Sequence, residues 1–168
     1  MTINKQPGFA PAASPHALTT VHTPEEAITA GETSIPSQGD TLPAYHARPK
    51  HSDAPLPVII VVQEIFGVHE HIRDVCRRLA HAGYLAIAPE LFFRQGDPSK
   101  LESVAEILQE IVAKVPDAQV MADLDACADW AVAAQGGDPE KIAITGFCWG
   151  GRITWLYAAH TARVRAGI

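Results

Sequence analysis

Residues Gly146-Phe147-Cys148-Trp149-Gly150-Gly151 carry the sharpest chemical signal in the sequence. The cysteine has a glycine two residues away on either side. A short apolar run, Lys141-Ile142-Ala143-Ile144-Thr145, precedes it, and a helical pattern from Arg152 to about His160 follows. This is the G-x-nucleophile-x-G pattern of a strand-to-helix elbow, with cysteine in the serine position. The chain must reverse within a few residues, which forces the nucleophile into strained backbone geometry. Side chains at 146 and 150 would collide in such a turn, and glycine at 151 would let the helix approach the sheet more closely still. Cys148 Sγ is therefore expected above the sheet edge at a helix N-terminus, the end that stabilises an anion. The Trp149 N–H would point into the same space as one oxyanion donor. A second is expected from the Ile65 N–H, in the loop after the apolar run 58–62. The plain alternative is a buried cysteine in a glycine-rich turn.

Other motifs fail on spacing. The glycines at 146, 150 and 151 do not make G-x-G-x-x-G, and no G-K-[ST] is present. His69-Glu70-His71-Ile72-Arg73 is not H-E-x-x-H, because its fifth residue is Arg73. His69 and His71 read as rim or surface histidines, and His16 and His22 lie in a polar arm without a ligand set. No metal or organic cofactor is expected. Cys76 and Cys127 sit on or beside apolar helix stripes and read as packing residues.

The elements that must position the elbow follow from the apolar pattern. Val58-Ile59-Ile60-Val61-Val62 and Tyr84-Leu85-Ala86-Ile87-Ala88 are continuous apolar runs, the mark of parallel strands covered on both faces. Between them a helix over 69–82 has Ile72, Val75, Cys76 and Leu79 on one face and Gly83 at its end. Thr33 and Ile35 pair with Leu42, Ala44 and Tyr45 across Ser37-Gln38-Gly39-Asp40 as an edge hairpin. Ser99 and Glu102 offer a capping box for a helix over 100–114, and a second helix restarts at Pro116-Asp117. Residues 164–168 begin one more strand. The expected fold class is α/β, a three-layer sandwich around a mostly parallel sheet. Residues 1–30, rich in Pro, Ala, Thr and Ser, read as a flexible arm, and 31–168 as the folded domain.

Composition narrows the partners. Lys and Arg total 13 against 19 Asp and Glu, a formal charge of −6, with no basic run, so no nucleic-acid surface is expected. No apolar stretch reaches the roughly 18–20 residues of a membrane span. Three cysteines without CxxC spacing make no disulfide framework, and a cytoplasmic location is the default expectation.

Gln63-Glu64-Ile65-Phe66-Gly67, Pro89-Glu90-Leu91-Phe92-Phe93-Arg94 and the Cys148 elbow together resemble the dienelactone hydrolase (carboxymethylenebutenolidase) family of the α/β-hydrolase superfamily. The resemblance implies that Cys148 is the nucleophile and that Glu64 pairs with the resting thiol and swings away when substrate binds. It also implies an oxyanion hole from Ile65 and Trp149, and Arg94 holding a substrate carboxylate. The implied chemistry is hydrolysis of a small lactone or ester through an acyl-enzyme. Read locally, Glu64 also suits a helix cap and Arg94 a surface charge.

In that family order an Asp and a His follow the nucleophile. Seventeen residues follow Gly151, and His160 is the one histidine among them. It falls far along the helix leaving the elbow, so it is not expected to be the base. The domain therefore reads as C-terminally incomplete. Its last strand would be left as an open edge prone to self-association, and the chain alone would not turn over a lactone. A monomeric, sharply melting and fully active protein would overturn that expectation. The other classes in play are a non-catalytic binder of small carboxylates and an interaction protein using its exposed sheet edge.

Overall fold

Continuous apolar strands need cover on both faces, and the computed structural model, which describes residues 20–168, supplies it. The strands are β1 (Ile28–Ser37), β2 (Asp40–Pro49), β3 (Leu56–Val62), β4 (Leu85–Pro89), β5 (Gly137–Gly146) and β6 (Val164–Gly167). The helices are α1 (Glu70–His81), the short α2 (Val104–Glu106), α3 (Asp117–Gln135) and α4 (Trp149–His160). The sheet order is β1-β2-β4-β3-β5-β6. β4, β3, β5 and β6 run parallel, and the β1–β2 hairpin joins antiparallel at the β4 side. β6 forms the other edge.

Alternation along the strands divides two cores. Val58, Ile60, Val62, Ile87, Ile142 and Ile144 face α3 and α4, where Leu124, Cys127, Ala128, Ile153 and Tyr157 meet them. Val61, Ala86 and Ala88 face the other way, onto Ile72, Cys76 and Ala80 of α1. The hairpin turns at Gln38 and Gly39, both at positive φ (53° and 83°), the backbone that a tight two-residue turn requires. Gly83, at φ 93°, ends α1 as its position predicts.

Several elements depart from the sequence reading. β1 starts at Ile28, three residues inside the expected arm. The stretch before it lies along α1, where the Thr23 N–H donates to Asp74 Oδ1 at 2.7 Å and His81 Nε2 to the Pro24 carbonyl at 2.6 Å. The arm's residues 1–19, with His16, lie outside the described residues. The serine cap forms four residues later than expected, with Glu106 reaching back one residue beyond it. Ser103 Oγ accepts from the Glu106 N–H at 3.2 Å, and Glu106 Oε2 accepts from the Glu102 N–H at 2.9 Å. Asp97 has already turned Ser99 into a separate 3-10 turn over Pro98–Lys100. Beyond α2 the backbone widens to a π turn at Ile107–Ile111 and tightens over Val112–Lys114, so 100–114 is not one regular helix. Finally, α4 begins at Trp149 and not Arg152, so the elbow feeds straight into the helix.

Candidate active site

The elbow forms where β5 ends. Its last residue, Gly146, pairs with Val62, and the Phe147 N–H donates to the Val62 carbonyl at 3.3 Å. The chain then reverses through Cys148, at φ 55° and ψ −113°, which is the N-cap of α4. Outside glycine such backbone costs on the order of 1–3 kcal/mol and persists only where surroundings enforce it. The enforcement is steric. A Cβ on Gly146 would lie 2.1 Å from the Gly150 carbonyl oxygen. A Cβ on Gly150 would lie 2.5 Å from the Val62 carbonyl oxygen and 2.6 Å from that of Gln63. Gly151 is different, since its Cβ would meet nothing nearer than the Gly146 oxygen at 3.6 Å, an ordinary contact. The still closer helix approach that glycine at 151 was expected to allow is not seen, since a Cβ would fit there.

Cys148 is exposed, whereas Cys76 and Cys127 are buried. Burial pushes the Cys76 thiol up to about 12 and raises that of Cys127 well above its ordinary value. Both stay protonated and inert. Trp149 heads α4, so its N–H has no acceptor within the helix. Neither that N–H nor the Ile65 N–H closes a hydrogen bond among the described residues. The Trp149 ring packs on fully buried Phe92, with centroids 4.7 Å apart.

Glu64 follows the end of β3 by two residues and therefore emerges beside the elbow. Its carboxylate goes neither to a helix cap nor to a thiol hydrogen bond. Glu64 Oε2 lies 3.0 Å from His69 Nε2, with both side chains mostly buried. Burial acts to raise the Glu64 carboxyl, but the His69 hydrogen bond, its own N–H and the charges of His69 and His71 outweigh it and leave it lowered. The carboxylate is therefore ionised and accepts, so His69 Nε2 carries the proton. Sequence reasoning placed His69 at a pocket rim but missed this pair. The loop between the two residues bends at Gly67, at φ 82°, and the sequence carried no signal for the direction of that bend.

A cavity of about 570 Å³ opens beside the pair, lined among others by Phe66, His69, Arg73, Glu90, Phe93 and Lys100. His69 borders it directly, and Glu64 reaches it through His69. Glu90 was quoted in the sequence only as part of a motif. It accepts from the Val68 N–H at 2.8 Å, while its second oxygen closes no hydrogen bond. Burial raises its carboxyl, outweighing the Val68 hydrogen bond that acts to lower it. A raised folded value means the ionised form opposes folding. That penalty is fully present above the folded value and fades as pH falls toward the unfolded value. Glu90→Gln keeps an acceptor for Val68 and removes the charge. It is expected to raise the melting temperature at pH 8 and to leave it unchanged at pH 4. An equal shift at both pH values would show that ionisation is not the cause.

Arg94 is placed away from this cavity. Its guanidinium bonds Asp123 Oδ2 at 2.7 Å, Asp40 Oδ2 at 2.8 Å and the Ser37 carbonyl at 3.2 Å. It ties the β1–β2 turn to α3 and has no free edge for a substrate carboxylate, contrary to the family-based expectation. Nor is it a free surface charge. His160 is likewise engaged, at 3.0 Å from Asp125 and stacked on Tyr157. Among the described residues no group of three or more His, Cys, Asp or Glu side chains converges to hold a metal ion. No helix among them is long and apolar enough to cross a membrane.

The sequence model of the dienelactone hydrolase family matches residues 42–168. A candidate carboxymethylenebutenolidase of Escherichia coli (strain K12) is 67% identical over 168 residues, covering 100% of this chain and 62% of the relative. A candidate 2-oxo-3-(5-oxofuran-2-ylidene)propanoate lactonase of Bradyrhizobium sp is 32% identical over 143 residues, covering 85% of this chain and 56% of that protein. The crystal structure of a candidate dienelactone hydrolase from Klebsiella pneumoniae subsp. pneumoniae MGH 78578 superposes with a TM-score of 0.82 at 68% identity, over 84% of this chain and 59% of that one. This chain thus spans less than two thirds of these relatives' length. The three-layer sheet, the Cys148 elbow and these matches agree, and the chain belongs to the dienelactone hydrolase family.

Proposed function

We propose that this chain carries the nucleophile side of a site that opens lactones or esters of small, carboxylate-bearing molecules through a thioester on Cys148. Cys148 Sγ, as thiolate, attacks the carbonyl carbon. The carbonyl electron pair moves onto oxygen, where the Ile65 and Trp149 N–H groups receive it. Collapse breaks the carbon–oxygen bond and expels the ester or ring oxygen, which takes up from solvent the equivalent of the proton that the thiol released. Water then cleaves the thioester, releasing the acid and restoring the thiol.

The observation that carries this reading is the backbone of Cys148, an exposed cysteine held at positive φ by glycines that leave no room for a Cβ. The names of the relatives support the lactone or ester class. Arg73 and Lys100 are the cations that line the cavity. Each already faces a carboxylate that is about half exposed or more, Glu32 at 2.8 Å and Asp97 at 3.7 Å, so a substrate carboxylate would have to displace it.

The test is acetylation by p-nitrophenyl acetate. One equivalent of nitrophenolate is expected in a burst, with the acetyl group on the peptide holding Cys148 and none in Cys148→Ala. Later turnover is expected to be slow, because His160, the one histidine after the elbow, lies at the far end of α4 from Cys148. Acetyl groups on another residue, or an unchanged burst in Cys148→Ala, would reject the assignment.

A further inference from the structure

We propose that His69 is the positioning residue of Glu64, and that by donating Nε2–H to the carboxylate it keeps Glu64 off Cys148 and leaves Sγ free to react. The inference rests on Cys148 being the nucleophile.

Cys148 and Glu64 leave the neighbouring ends of β5 and β3, which are locked together by the Val62–Gly146 register and the Phe147–Val62 hydrogen bond. A carboxylate beside a thiolate disfavours it, and a thiol that hydrogen-bonds a carboxylate is a poor nucleophile. Glu64 must therefore have another partner whenever the thiol reacts. His69 Nε2 is that partner, at 3.0 Å. The backbone of His69 is pinned, since its N–H donates to the Gly67 carbonyl at 3.0 Å and its own carbonyl accepts from the Arg73 N–H at 3.1 Å. Although His69 is the N-cap of α1, its ring caps nothing. The backbone of His69 is thus fixed, and its ring is hydrogen-bonded to Glu64.

The surroundings fit this role. The His69 ring stacks on His71 at 6.2 Å, and His71 meets the edge of Phe147, the residue before Cys148, also at 6.2 Å. Three aromatic side chains thus run from Glu64 back to the elbow. His69 also borders the cavity, so a ligand bound there contacts the partner of Glu64.

The experiment follows alkylation of the 168-residue chain by iodoacetamide, with the labelled peptide identified by mass spectrometry. The variants are His69→Leu, His69→Gln, Glu64→Gln and the double variant His69→Leu with Glu64→Gln. His69→Leu removes the donor and frees Glu64 to turn to the thiol, so Cys148 labelling is expected to slow about tenfold, the scale of one nearby like charge. His69→Gln keeps an N–H donor of similar reach and is expected to stay within about twofold of wild type. Glu64→Gln and the double variant are expected to label alike, because no carboxylate remains to be held. A merely structural His69 would slow labelling in both Glu64 backgrounds and would not be rescued by glutamine. Either result, or an unchanged rate in His69→Leu, overturns the proposal. Labelling at a residue other than Cys148 would remove the nucleophile assignment as well, which separates failure of that reading from failure of this one.

Discussion

Alanine at position 150 is expected to cost the fold about 3 kcal/mol or more and to remove thiol acylation, while alanine at 151 leaves both near wild type. The two glycines are adjacent and both lie in the first turn of α4, so helix propensity does not separate them. Their surroundings do. The Gly150 Cβ would enter backbone oxygens of Val62 and Gln63 at 2.5 and 2.6 Å. Those atoms cannot retreat, because Val62 is paired with Gly146 and its carbonyl also accepts from Phe147. α4 must lift instead, and Cys148 then leaves its φ of 55°. Gly146→Ala is expected to behave like Gly150→Ala, since its Cβ would lie 2.1 Å from the Gly150 carbonyl oxygen. At 151 the nearest atom is 3.6 Å away, so alanine fits and gains up to about 1 kcal/mol of helix propensity. Urea unfolding and the p-nitrophenyl acetate burst, measured on all three variants, decide it. Wild-type stability in Gly150→Ala would mean that the elbow is not held by this contact. A loss in Gly151→Ala equal to that in Gly150→Ala would mean that the whole turn, and not two of its glycines, sets the geometry.

The elbow was readable from sequence because its requirement is local. A strand end, two glycines and a helix start are all encoded within a dozen residues, and backbone sterics do the rest. The parallel strands were readable for a similar reason. A run such as Val58-Ile59-Ile60-Val61-Val62 has no polar face to expose, so it must be covered on both sides. The side-chain partners were not readable. Whether Glu64 bonds a thiol, a helix end or an imidazole depends on how Gly67 turns the loop, and the motif is the same in each case. The Ser103–Glu106 cap was displaced from Ser99–Glu102 by competition. Asp97 and Pro98 form their own turn first, and both serines satisfy the same S-x-x-E pattern. Arg94 is the clearest instance. Its motif resembles that of the family, but its direction is set by Asp40 and Asp123, which are distant in sequence.

Arg94→Met is accordingly expected to destabilise the fold by about 3 kcal/mol and not to alter substrate preference. Asp123 is fully buried, and its carboxylate is held by Ser37 Oγ at 2.6 Å, Gln38 Nε2 at 2.9 Å and the Arg94 guanidinium. Methionine keeps the apolar contact over the Phe93 ring, where the guanidinium carbon sits 4.3 Å from the centroid, and so isolates the effect of charge. Two neutral donors cannot replace a cation for a carboxylate taken out of water, and breaking such a pair from one side leaves an uncompensated charge. Asn at 123 removes that charge while still accepting from Ser37. Arg94→Met combined with Asp123→Asn is therefore expected to recover most of the loss, whereas two independent defects would add. Thermal unfolding of the single and double variants reads the coupling. Acylation by a neutral and a carboxylate-bearing aryl ester reads the alternative role. If Arg94 grips substrate, the single variant loses the charged ester selectively and keeps its melting temperature. If it ties the hairpin to α3, the melting temperature falls and the ratio of the two rates does not move.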